Sequence, residues 1–202
     1  MLTTSSLPRP APKSVTLDRP LQVALDGTSA ITITQMQQNY LIIDNLFEDA
    51  GVAQTFGTAL NHVIAGNRSV RTAGFFIYAL VYEHFQPSWQ VQLLDNRIIE
   101  GNTYEGGPDR TIHFGEAAVA IKAVRPPDMQ ATPPLVRAAI VRGNHLDEDA
   151  HIEVTGVQPA HPGVRDVVIE NNVIGAARMG VYVDRGTQWW IDRRNVVKTV
   201  LK

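Results

Sequence analysis

A chain of 202 residues that is 44% apolar and 19% charged can bury the core of one folded domain, which excludes global disorder. A net charge of -2 with no basic run supplies no long-range attraction for nucleic acid or anionic lipid. The absence of cysteine excludes disulfides, thiolate metal sites and cysteine nucleophiles.

Residues 1–28 carry Pro8, Pro10, Pro12 and Pro20 among Ser, Thr and Arg, a composition that favours extended chain over helix. This segment reads as an arm or linker. Its opening, MLTTSSLPRPAPKSV, has no unbroken apolar stretch, so no signal peptide is visible there. No run reaches the roughly 18 apolar residues that a membrane-spanning helix needs, and no membrane insertion is expected. From AITIT (Ala30 to Thr34) a period-two alternation begins, and residues 29–202 read as one all-β domain.

Within that domain a template recurs around Asn45, Asn67, Asn96, Asn144, Asn172 and Asn195. Three residues before them stand Ile42, Ile64, Leu93, Val141, Ile169 and Asp192. Two residues after them stand Phe47, Ser69, Ile98, Leu146, Ile174 and Val197. The asparagines are spaced 22, 29, 48, 28 and 23 residues apart. Steps in the twenties suit one coil of a β-solenoid, and the long step contains RPPDMQATPPL (Arg125 to Leu135), a Pro-rich surface excursion. A second family of strands follows: GFFIYAL from Gly74, GEAAVAIKAV from Gly115, HIEVTG from His151 and GVYVDRG from Gly180. Alternation points Phe75, Ile77, Ile152, Val154, Val181 and Val183 inward and their neighbours outward.

One coil cannot bury both its apolar strands, but coils stacked at about 4.8 Å give each other a floor and a ceiling. An inward Asn both donates and accepts, so a column of them bonds to the next copy and pins the register. The stretches VVIENNVIGAARMGVYVDRG, WWIDRRNVV and VQLLDNRIIEGNTY resemble the repeats of right-handed parallel β-helix proteins, the pectate-lyase-like superfamily, over roughly residues 40–200. The resemblance implies a right-handed parallel β-helix with an extended Pro-rich amino-terminal arm, and it favours an extracellular or surface-associated protein. It does not choose an activity, because lyases, hydrolases, epimerases, tailspikes and passive fibres share that fold. The clustered aspartates and Gly-His-Gly of polygalacturonase-like hydrolases are missing here. So are the calcium-binding aspartates of pectate lyases and the Asp-Pro-His-Glu tetrad of alginate epimerases.

The outward side chains of the second strand family are the candidate surface: Phe76 and Tyr78, Glu116 and Lys122, His151 and Glu153, Tyr182 and Asp184. Aromatic rings beside carboxylates and amides suit the apolar faces and hydroxyls of sugars. Phe76, Tyr78, Glu116, Lys122, His151 and Tyr182 are therefore expected to bind substrate, with Glu153 and Asp184 as a carboxylate pair for glycoside chemistry. The run NHLDEDAHIE (Asn144 to Glu153) has two histidines, His145 and His151, and between them three acids, Asp147, Glu148 and Asp149, without recognised ligand spacing, and its side chains fan outward. No metal or cofactor is assigned. A solenoid exposes its cross-section at both ends, which calls for a cover, a homo-oligomer or a longer parent chain. The expectation is a β-helix that recognises a polysaccharide or oligosaccharide, with a carbohydrate-active enzyme among its forms. The alternative is a non-catalytic structural module, of surface or virion type, working as an oligomer.

Overall fold

The computed structural model describes residues 19–20, 24, 26–27, 35–50, 54–56, 58–81, 85–101, 117–124, 134–147, 151–156, 162–177 and 180–200. Most of the arm, Glu116 and residues 125–133 of the excursion lie outside them. The chain divides between residues 31 and 32 into two units, and all the strands below belong to the second.

Among the described residues the regular structure is all strand, and the strands lie in three curled, almost wholly parallel sheets. The first sheet holds six rungs, from Gln37–Gln38 with Leu41–Ile43 through to Val164–Glu170 and Thr187–Arg193. The second holds Leu46–Glu48, Arg68–Val70, Arg97–Ile99, His145–Leu146, Val173–Ala177 and Val196–Val200. The third holds Gln54–Phe56, Phe75–Val81, Ala117–Val124, His151–Thr155 and Val181–Val183. In every sheet the neighbour of a rung is the corresponding strand one repeat away, as Ile64 facing Ile42 and Leu93 illustrates. The chain thus stacks coil on coil, an arrangement compatible with a solenoid.

The asparagines stand at the corner between the first and second sheets. Each sends its backbone N–H and its Nδ2–H to Oδ1 of the next, at 2.8–3.0 Å, through five consecutive links from Asn45 to Asn195. Nδ2 of Asn67, Asn96, Asn144, Asn172 and Asn195 also donates to the carbonyl three residues before the preceding Asn. The four inner amides are at most 1% exposed and would be costly without these partners.

Two columns of left-handed backbone accompany the ladder. Asp44, Gly66, Asp95, Gly143, Asn171 and Arg194, each one residue before an Asn, have φ between 53° and 69°. Asn39, Asn61, Gln90, Ala138, Asp166 and Trp189, each six before, have φ between 51° and 59°. The first column turns the chain from one sheet into the next, and Gly, Asn and Asp adopt that conformation most readily. A Cβ on Gly66 or Gly143 would also meet the carboxylate of Asp44 or Asp95 on the preceding coil.

Inside the stack, Ile64, Leu93, Val141 and Ile169 form one fully buried column and Ile98, Leu146 and Ile174 another. From the third sheet Phe75, Ile77, Ile121, Ile152 and Val154 complete the same core. Each such side chain contributes about 1.5–3 kcal/mol against exposure. Ser69, the polar member of its column, is satisfied by Thr72, Oγ to Oγ1 at 2.5 Å, and Thr72 Oγ1 accepts from the Gly74 N–H. Asp192, the misfit of the other column, lies exposed on the last coil and accepts from Asn195 Nδ2.

Candidate functional site

The outer face of the third sheet is built by register. Phe76 stands beside Ala120, Ala120 beside Glu153, and Glu153 beside Tyr182, all on one row across four strands. The next row places Tyr78 beside Lys122 and Lys122 beside Thr155. Alternation carries Asp184, two residues beyond Tyr182, to the same face. His151 enters where the register shifts between Ala117 and Val119, two residues before Glu153.

These positions do different things. Phe76 is outward by alternation yet only 2% exposed, packed with Ala73 and Ala120 in a small second cluster. It is a floor for the row. Tyr182 is 42% exposed and Tyr78 half-buried. Between them Glu153 places Oε1 3.1 Å from Lys122 Nζ and Oε2 3.6 Å from His151 Nε2. Burial is the largest influence on the Glu153 carboxyl and pushes its pKa up. The His151 imidazole and the Lys122 ammonium together outweigh burial and hold the group below the usual glutamate value.

Asp184 is tied into a turn. Its Oδ1 accepts from the Gly156 N–H at 2.8 Å, the Gly186 N–H at 3.0 Å and the Thr187 hydroxyl at 3.1 Å. The turn is tight, because a Cβ on Gly156 would collide with the Gly186 carbonyl. Of the expected surface, then, Phe76, Glu153 and Tyr182 share a row, Tyr78 and Lys122 share the next, and His151 flanks Glu153. Glu116 lies outside the described residues.

The acidic and histidine-rich run divides between sheets. His145 belongs to the second sheet, where Asp147 lies 3.5 Å from its Nε2 and 3.2 Å from Arg97, whereas His151 belongs to the third. Among the described residues no three His, Asp or Glu converge as metal ligands.

One cluster escapes a reading that looks only for active-site motifs. On the outer face of the first sheet Glu170 is 3% exposed, with Arg142 and Arg193 Nε each 2.7 Å from one of its oxygens and Arg194 at 3.4 Å. The hydrogen bond from Arg193 chiefly holds its carboxyl below the ordinary range, against burial and with help from Arg142. The signal is a charge alternation in one column, Arg142, Glu170, Arg193, on three successive coils. It clamps coils together.

No protein-family model, no curated protein and no solved structure matches the chain.

Proposed function

We propose that this protein is a right-handed parallel β-helix, similar to the pectate-lyase-like superfamily, that binds polysaccharide across the outer face of its third sheet without cleaving it. The observation that carries the reading is the Glu153 carboxylate between Lys122 and His151, on the row that ends at Tyr182. A carboxylate and an imidazole give acceptors and a donor for sugar hydroxyls, and the Tyr182 ring beside them suits a sugar's apolar C–H face. Binding is favoured over hydrolysis by the state of the two acids. A glycosidic general acid needs a raised pKa, and Glu153 has a lowered one. Asp184 Oδ1 serves three turn hydrogen bonds.

Binding to a panel of immobilised polysaccharides tests this reading. Glu153→Ala and Tyr182→Ala are each expected to weaken binding of whichever polymer the parent retains by tenfold or more, about 1.4 kcal/mol. Retention unchanged in both variants would defeat the proposal, as would a parent that retains none. Release of new reducing ends that disappears in Glu153→Gln would return the site to an enzyme.

A second reading, a structural module that works as an oligomer, is favoured by the exposure of Leu41 and Leu46 on the first coil and Ile191 and Val196 on the last. Under it, the protein self-associates in sedimentation and the third-sheet substitutions leave that behaviour unchanged.

A further inference from the structure

Among the described residues the first and last coils are unlike, and each carries what the other lacks. The asparagine ladder has a direction, each Asn donating to Oδ1 of the Asn on the following coil. Among the described residues no donor reaches Asn45 Oδ1 at the first coil, and no acceptor meets the backbone N–H of Asn195 at the last.

Charge follows the same opposition. Residues 35–50 contain Asp44, Glu48 and Asp49 and no Lys or Arg, whereas residues 187–200 contain Arg193, Arg194 and Lys198 against Asp192 alone. Arg194 occupies on the last coil the place that Asp44 occupies on the first, and Lys198 occupies the place of Glu48. Apolar side chains are also bare on both coils: Leu41 is 69% and Leu46 61% exposed, Ile191 47% and Val196 51%.

We propose that the last coil of one copy of this chain seats on the first coil of a second copy, head to tail, in the register that joins coils within the chain. In that register the Asn195 N–H donates to Asn45 Oδ1 of the next copy, and the ladder runs on. Trp190 covers Tyr40 of the next copy, as Tyr40 covers His62 within the chain, ring centroids 4.9 Å apart and 24° from parallel. Ile191 meets Leu41, Val196 meets Leu46, Arg194 meets Asp44 and Lys198 meets Glu48. The last contacts repeat what Arg71 does for Glu48 and Asp49 inside the stack. The outermost described strands on both faces gain backbone partners. Joining two first coils would set acid against acid, and joining two last coils would set Arg against Arg, so only the head-to-tail pairing is complementary. A contact between unlike faces leaves one face of each kind free and extends into an open filament.

The test uses the full chain in sedimentation velocity at about 1–100 µM, the range where modest protein contacts form and dissociate. The parent is expected to grow in size with concentration. Leu41→Lys with Leu46→Lys blocks the first face, and Ile191→Glu with Val196→Glu blocks the last. Each double variant alone is expected to be a monomer, and their equimolar mixture to form dimers and nothing larger. A parent that stays monomeric throughout overturns the proposal. So does either double variant associating as the parent does, or a mixture that forms no dimer. Cooperative melting within a few degrees of the parent certifies that the variants fold. Should one not fold, Lys198→Glu, outside the Glu170 cluster, replaces it: association is expected to weaken about tenfold and to recover when Glu48→Lys is added, and no recovery counts against the interface.

Discussion

The corner between the first and second sheets and the outer face of the third are made of the same coils but by different rules. At the corner each coil repeats one pattern, a left-handed residue before a ladder Asn with mostly apolar inward side chains at fixed offsets, and the Asn is buried on the four inner coils. On the third sheet only the inward positions repeat, and the outer row changes identity from Phe76 through Ala120 and Glu153 to Tyr182. Repetition there serves packing alone. The lesson is that a stacked fold concentrates its structural demands in one corner and leaves another surface free to specialise.

The comparison breaks most sharply at Asn144. Changing it to Ala leaves the N–H and Nδ2 of Asn96 without their acceptor and the Leu93 carbonyl without its donor, all in a buried setting. The expected cost is on the order of 4 kcal/mol in urea unfolding, whereas Asn45→Ala, at the exposed first rung, should cost about 1. Equal costs would mean that the ladder does not act through burial. Next comes Ile121→Ala on the inward side of the third sheet, where a fully buried side chain is truncated. About 3 kcal/mol is expected, showing that this sheet's inner face is as demanding as the corner.

Gly143→Ala probes the left-handed column. The new Cβ must hold φ near 69° and displace the Asp95 carboxylate, for a cost of about 1–2 kcal/mol in the same measurement.

His62 gives a pH signature. It is 1% exposed, its Nε2 lies 3.0 Å from the Gln37 carbonyl and its Nδ1 has no partner, so burial lowers its pKa from 6.5 while the Gln37 contact opposes. Below about pH 6.5 the unfolded chain takes up the proton more readily than the folded one. Stability therefore falls as pH drops through the folded pKa and then levels. In His62→Leu that part of the pH profile should flatten, while the loss at lower pH from Glu153 and Glu170 remains. The smallest expected effect is Glu153→Gln, which keeps the side chain's shape and part of its hydrogen bonding to Lys122: a change in stability of about 1 kcal/mol, alongside a loss of the retention proposed above.

Much of the corner is legible in the residues. An Asn recurring with aliphatics three before and two after has a single economical explanation, and even its misfits, Ser69 and Asp192, find local partners. The left-handed column one residue before each Asn went unread, although Asp44, Gly66, Asp95, Gly143 and Asn171 are residue types that tolerate it and only Arg194 is not. The column six residues before was not legible, because Gln90, Ala138 and Trp189 carry no such preference and are held there by their neighbours. Outward strand positions on the third sheet follow from alternation, but contact does not. That Lys122 reaches Glu153 diagonally depends on which coils are adjacent. That Asp184 turns toward Gly156 and Gly186 depends on a turn geometry that period-two counting ignores.

In all six described coils the segment from eight residues before the Asn to two after it aligns position by position, with no residue gained or lost. The variation in repeat length, from 22 to 48 residues, therefore falls entirely elsewhere. For anyone grafting a foreign peptide into this scaffold, the coil is a rigid cassette joined by a tolerant seam. A one-residue deletion inside the cassette would turn every following side chain of that rung inside out, while dozens of residues can be spliced at the seam without disturbing the stack.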